Sequence, residues 1–348
     1  MHMADALVSP AVGGAMWAAA GGLAAFSARK LKREADERKV PLMGVLGAFI
    51  FSTQMINFAI PGTGSSGHLG GGMILAILLG PYAGFITIFS VLAVQALFFA
   101  DGGLIALGCN AFNLGFFPCF IAYPFVYRRI AGRQAGPRSL LFGTMAASIV
   151  ALQLGALAVV LETFLSGISA IPFMTFTLLM QPIHLAIGIV EGLVTFSVVT
   201  FVWKARPELL GTTPGTLPPK SIPMKALLAS FLLAALLIGG VLSWFASSQP
   251  DGLEWSLTKS SSVEETAAPG HASHELAERI QNASAILPDY DFKAPLTEPD
   301  HGTAEDIRAI NTGTSVAGLV GALLTLAFVA ILGILLYLDA QRHNRMVS

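Results

Sequence analysis

The strongest constraint on this chain is a series of apolar runs, each long enough to cross a lipid bilayer as a helix. A spanning helix needs about 20 consecutive, mostly apolar residues. Such runs lie near 8–26, 42–58, 82–99, 104–127, 140–165, 172–203, 226–245 and 316–338. A shorter one, 69–79, is bracketed by glycines and by the pair Gly80–Pro81. Only 12% of the 348 residues are charged, about half the usual share for a soluble domain. That is too few to cover a water-facing surface, whereas a lipid-facing one needs none. The formal net charge of -1 gives no reason to expect nucleic acid. Cys109 and Cys119 both sit in apolar sequence and show neither paired metal spacing nor a disulfide framework.

The basic residues set the expected topology. Six of the 20 Lys and Arg fall between Arg29 and Lys39, and four between Arg128 and Arg138. Lys204, Arg206, Lys220 and Lys225 lie in a third segment, and Arg342 and Arg345 near the C-terminus. The positive-inside rule places all four segments in the cytoplasm. Returning from Lys39 to Arg128 on one side requires an even number of crossings, so the segment 69–79 is expected to cross as well. The expectation is an all-α, polytopic membrane protein of about nine transmembrane helices, with the N-terminus outside and the C-terminus inside. The first basic cluster follows the first apolar run, the reverse of a cleavable secretory signal, so that run is read as a retained helix.

Composition divides the chain. Residues 1–206 hold seven of the expected helices, and 207–225 form a Pro/Gly/Thr-rich cytoplasmic linker. Residues 226–348 hold two more helices around a polar outer loop, 247–311, with twelve acidic and four basic side chains. Within it, residues 274–286 read as a short amphipathic helix with Leu276, Ile280 and Ala283 on one face.

Two histidines are expected on the outer side. The chain starts Met1-His2-Met3-Ala4-Asp5. A free amine at Met1, the His2 amide nitrogen and the His2 imidazole can close adjacent five- and six-membered chelate rings on one ion. Three nitrogens in one plane suit Ni(II) or Cu(II). His68 lies in the glycine-rich stretch 62–72, GTGSSGHLGGG, whose glycines permit a close approach by another segment. Gln54, Asn57, Gln95, Asp101, Asn110 and Asn113 are polar groups near the same side. Such groups are costly in a membrane and need partners, so they are candidates to orient the ligating imidazoles. His184 and Glu191, seven residues apart on one helical face, are expected to pair with each other. His271, His274 and His301 belong to the acidic loop, which is either a solvated surface or a device that concentrates cations.

The opening MHMADALVSP, the segments QMINFAIPGTGSSGHLGGG (54–72) and QALFFADGGLIALGCNAFN (95–113), and HLAIGIVEGLVT (184–195) resemble the CbiM/NikM family. These are substrate-specific membrane subunits of energy-coupling factor importers for cobalt and nickel. The resemblance covers roughly the first 205 residues. Pro250-Asp-Gly-Leu-Glu-Trp255 and the two flanking helices resemble the small NikN/CbiN-type component, so the whole chain resembles a fused M–N protein. The resemblance implies a metal site of Met1, His2 and His68, with nickel as transported ligand and cobalt as the alternative. It also implies a transmembrane coupling subunit and ATP-hydrolysing subunits in separate chains of the cell membrane. The family's usual Ile-Pro-Asp-Gly after Met-His is Met3-Ala4-Asp5-Ala6 here. The sequence carries no Gly-Lys dipeptide and hence no P-loop of the usual form. Two other readings stay open. One is an intramembrane metalloenzyme built on His184 and Glu191, although no HExxH is present. The other is a structural membrane scaffold.

Overall fold

The computed structural model describes residues 2–34, 39–132, 136–168, 171–210, 222–260, 272–292 and 312–347. Met1, His271, His301 and residues 211–221 of the expected linker lie outside the described residues. The described chain is almost entirely helical: α1 (Pro10–Glu34), α2 (Lys39–Gln54), α3 (Gly72–Leu79), α4 (Pro81–Phe99) and α5 (Leu107–Ala131). There follow α6 (Pro137–Ser166), α7 (Phe173–Ala205), α8 (Met224–Gly240), α9 (Gly252–Ser260), α10 (Ala272–Ser284) and α11 (Thr312–Val347). The only strands among the described residues, β1 (Phe58–Ile60) and β2 (Ser65–Gly67), form one small antiparallel hairpin with Phe58 opposite Gly67. A helix satisfies its own backbone hydrogen bonds, which is what lipid demands of a spanning segment. Large apolar side chains such as Phe142, Met174, Leu178, Leu233 and Ile331 remain exposed on the outside of the bundle, as a lipid-facing surface requires.

The helix lengths refine the expected count of nine. Six described helices are long and apolar enough to cross a membrane: α1, α4, α5, α6, α7 and the apolar part of α11. Two more, α2 and α8, have 16 and 17 residues. The segment expected to be the remaining span is not a full helix. α3 has eight residues, about 12 Å at 1.5 Å per residue, against a hydrocarbon core of about 30 Å. Extended backbone leads into it from the hairpin, so 58–79 is an interrupted element. Such irregular backbone is tolerated at membrane depth only where protein surrounds it. Every residue of α3 is buried accordingly. Gly72 makes the tightest approach, since a Cβ there would lie 2.4 Å from the Leu114 carbonyl oxygen of α5.

The two C-terminal helices dock on the rest through small residues. α8 and α11 touch backbone to backbone where Gly239 meets Gly318. α11 also lies along α2, where Gly321 receives the ring of Phe51. Close approach at small residues is the usual device for helix association where no hydrophobic effect operates between helices. A Cβ at Gly318 would fall 2.2 Å from the Gly239 carbonyl oxygen, whereas one at Gly240 would meet only side-chain atoms at ordinary contact distance. Gly318→Ala is therefore expected to destabilise the protein by about 1–3 kcal/mol, and Gly240→Ala to leave it unchanged or slightly firmer. Thermal unfolding of both variants in detergent checks the contrast; equal melting temperatures would contradict this crossing.

Candidate metal centre

The N-terminal strap is threaded into the bundle. Met3 is fully buried, and Asn110 of α5 holds its peptide from both sides. The Met3 N–H donates to Oδ1 of Asn110 at 2.7 Å, and Nδ2 of Asn110 donates to the Met3 carbonyl at 3.2 Å. The Gly103 N–H donates to the same carbonyl at 2.9 Å. Oδ1 of Asp5 accepts from the Ala106 N–H, which fastens the next turn. Gly103 has no room for a side chain, because a Cβ would sit 1.9 Å from Asp5 Oδ1. The hydrogen bonds of these few residues thus fix where His2 can be.

The glycine loop is anchored from below. The N–H groups of Gly70 and Gly71 donate to the two carboxylate oxygens of Glu191 at 2.7 and 3.1 Å. Nε2 of Gln54 donates to the Gly70 carbonyl at 2.8 Å. Gly71 has φ of 75°, a conformation that favours glycine, and directly precedes α3. With 70 and 71 held, His68 is presented at the end of β2. Its Nδ1 lies 3.1 Å from the Leu69 carbonyl oxygen. A carbonyl can only accept, so Nδ1 carries the proton and Nε2 keeps its lone pair. The His2 and His68 rings lie parallel, 4.9 Å between centroids and 7° between planes. His68 is itself buried.

The six expected orienting residues divide. Only Asp101 meets a candidate imidazole: its Oδ1 is 3.1 Å from Nδ1 of His2. Its Oδ2 accepts from the Tyr290 hydroxyl, and Gln95 donates to that hydroxyl at 3.2 Å. Burial would raise the Asp101 pKa, but the neighbouring His2 and the hydrogen bonds from His2 and Tyr290 outweigh it and hold the carboxyl below its ordinary range. Asn110 holds the strap, and Gln54 the glycine loop. Asn113 instead donates to Glu162 at 2.7 Å. Asn57 accepts, through its backbone, from the Ser247 N–H. Nε2 of His2 is buried with no hydrogen-bond partner.

His184 and Glu191 do not pair. Seven residues on one face put them about 10 Å apart along the axis, and each is committed elsewhere. His184 donates through Nδ1 to the Met180 carbonyl at 2.8 Å, and Glu191 holds the glycine loop. The acidic loop is not simply a solvated surface either. Nε2 of His274 lies 3.1 and 3.0 Å from the carbonyl oxygens of Asp5 and Val8, which clamps α10 onto the strap. Gln281 donates to the carbonyls of Ala96 and Gly102. α10 is amphipathic as expected, but turned over: Leu276 and Ile280 are exposed, while His274 and Ala277 are buried.

Three residues supplied by the C-terminal part escaped the sequence reading as site residues. Tyr290 stacks on Phe99 at 5.2 Å and follows Asp289 in a pair of left-handed residues, with φ of 60° and 51°. Non-glycine residues adopt that conformation only when their surroundings enforce it. Asp251 caps α9, its Oδ1 accepting from the N–H groups of Leu253 and Glu254, each at 2.8 Å. Glu254 reciprocates with a bond to the Asp251 N–H, a capping-box arrangement whose D-x-x-E spacing was visible in the sequence. The preceding residues are stitched to the hairpin, with the Ser66 N–H on the Pro250 carbonyl at 2.8 Å.

Together these parts enclose a cavity of about 560 Å³ lined by His2 and His68. Asp5, Asp101, Asp251, Glu254, Glu278 and Asp289 also line it. The first two carboxylates come from the N-terminal block and the other four from the C-terminal part. Among the described residues, no three His, Cys, Asp or Glu side chains converge as a metal cage. An ion held by the two imidazoles would need further donors such as backbone nitrogen.

Comparison with known proteins places this arrangement. Residues 2–209 match the family described as the cobalt uptake substrate-specific transmembrane region, and 225–338 match the PDGLE domain. A putative metal transport protein of Haloquadratum walsbyi is 36% identical over 61% of this chain and 94% of its own length. A putative fused nickel transport protein, NikMN, of Archaeoglobus fulgidus is 32% identical over 60% of this chain and 68% of its own. A crystal structure titled as a transition metal transporter aligns with a TM-score of 0.52 at 31% identity, covering 59% of this chain and 93% of that one. The relatives are metal transport proteins rather than enzymes, which removes the metalloenzyme reading. The chain is a membrane component of cobalt or nickel transport and belongs to the family of cobalt uptake substrate-specific transmembrane regions, joined here to a PDGLE domain.

Proposed function

We propose that this chain captures nickel, ahead of cobalt, for an importer driven by ATP hydrolysis in separate chains through a transmembrane coupling subunit. The observation that carries the reading is the parallel, buried pair of His2 and His68 in an acid-lined cavity. The carboxylates draw a hydrated cation toward a site whose own donors are nitrogen. The Met1 amine, the His2 amide, Nδ1 of His2 and Nε2 of His68 then supply four nitrogens. A tetragonal nitrogen set suits nickel, and both ions accept these donors, so the preference is one of geometry. The similarity to fused nickel transport proteins supports the same choice.

In the structure Nδ1 of His2 faces Asp101. Ligation therefore requires that nitrogen to leave Asp101, lose its proton and swing toward the ion. Asp101 holds the ring until then, with Tyr290 holding Asp101. The domain roles follow: 1–206 binds the ion, 207–225 links, and 226–348 closes the cavity wall. The positive-inside rule puts the cavity and the N-terminus outside, and the C-terminus in the cytoplasm of a cell whose plasma membrane holds the protein.

Purified protein with a native N-terminus is expected to bind about one equivalent of nickel tightly. His2→Ala, or one residue inserted before Met1, removes that binding in a calorimetric titration; parent-like binding by both variants would sink the N-terminal chelate. The pH dependence has a definite sign. Amine, amide and imidazole must be free of protons to ligate, so affinity falls as pH falls. The range from about pH 7 to about pH 5 is the one in which this fall is read. Nickel titrations across this range test it, and a flat affinity counts against the donor set.

A further inference from the structure

A second void adjoins the cavity, with His68 and Asp251 lining both. It measures about 10 Å³ and is lined by His68, His184, Asp251 and Gly252, among others. That is room for one water-sized occupant. It is bounded on one side by the glycine loop, on another by α7 and on a third by the start of α9, so the N-terminal and C-terminal parts build it jointly.

His184 is fully buried there. Its Nδ1 is 2.8 Å from the Met180 carbonyl oxygen, so Nδ1 carries the proton and the lone pair is on Nε2. That Nε2 is buried with no hydrogen-bond partner. The adjoining Cε1 would lie 3.3 Å from a Cβ at Gly252, so any side chain at 252 would crowd this ring edge. An imidazole whose N–H is tied to a backbone carbonyl, leaving the other nitrogen bare, is prepared in the way metal-ligating histidines are. The Nδ1 of His68 is likewise placed on a backbone carbonyl, that of Leu69. His68 and His184 thus border one small void, with Asp251 in its wall to offset charge. Nothing in the outer chelate uses His184.

We propose that His184 is an inner station for the transported ion: a transit ligand that takes a divalent transition metal from His68 as it leaves the outer site. One metal–nitrogen bond replaces another, and no proton needs to move at His184, because its Nε2 already carries a lone pair. Asp251 faces the cavity as well as the void, so it can accompany the ion across. The proposal rests on the outer-site reading for the direction of travel, but it assigns a residue and a step which that reading lacks.

The test uses the full-length chain with nickel alone as probe, in four forms: parent, His2→Ala, His184→Leu and the double variant. Calorimetric titration is expected to show a tight class of one ion and a second, weaker class in the parent. His184→Leu keeps the tight class and loses the weak one; His2→Ala does the reverse; the double variant loses both. Radioactive nickel uptake by cells carrying the chain with its native partner genes is expected to fall about tenfold or more in His184→Leu. Survival of the weak class and of uptake in His184→Leu overturns the inner station and leaves the outer site standing. Loss of the tight class in His184→Leu also overturns it, since His184 would then serve to build the outer site. Parent-like tight binding by His2→Ala removes the outer reading instead. His184→Gln guards against a packing defect: a variant that keeps the tight class and the parent's melting temperature but still loses uptake supports ligation by the imidazole.

Discussion

The grip of Glu191 on the N–H groups of Gly70 and Gly71 is the interaction on which the rest of this structure depends. An extended stretch of chain inside a membrane protein exposes backbone donors to a medium that offers no water, and each unmet donor is costly. One carboxylate from α7 answers two of them where α3 begins, the end of a helix at which negative charge is favoured. Because that loop is held, the hairpin before it has a fixed exit and His68 a fixed place. Without the carboxylate the interrupted element would have to close into a continuous helix or leave the bundle, and either change would carry His68 away from His2.

Above this anchor, the walls are assembled from segments far apart in sequence, and mostly by backbone. The strap is held by Asn110, Gly103 and His274, the hairpin by residues 247–250, and the turn after α4 by Gln281. Side chains that look suited to chemistry are often spent on holding main chain instead. His274 and Glu191 are examples: one fastens the strap and the other the loop. The C-terminal part is therefore a wall of the cavity and supplies four of its six carboxylates. α8 and α11, in contact through Gly239 and Gly318, both pack along α2 and so bring that wall to the bundle.

Much of this was legible beforehand. Composition and run length determine a helical membrane protein, because a lipid-facing chain has no alternative way to satisfy its backbone at such low charge. The local chemistry of Met1-His2 and the glycine-rich setting of His68 single out the two imidazoles that the fold brings into parallel contact. The spacing of Asp251 and Glu254 already carries a helix cap. Less legible was the broken crossing at 58–79. Hydropathy registers how apolar a segment is and not whether its backbone is helical, so parity alone asked for a full span where the chain makes a hairpin and a short helix.

What only the tertiary structure decided is which polar groups face which. One face of α7 carries both His184 and Glu191, and periodicity alone suggests that they meet. In space the axial rise separates them, and Glu191 turns to a loop 120 residues away in sequence. The amphipathic pattern of α10 shows that it has two faces, but not that its polar face would be the buried one. Tyr290, an ordinary loop tyrosine in sequence, becomes the donor to Asp101 only because a left-handed pair of residues folds it over α4. Local sequence determines period, caps and chelate-forming order, since these act over a few residues; long-range partners depend on where whole helices come to rest, and packing alone settles that.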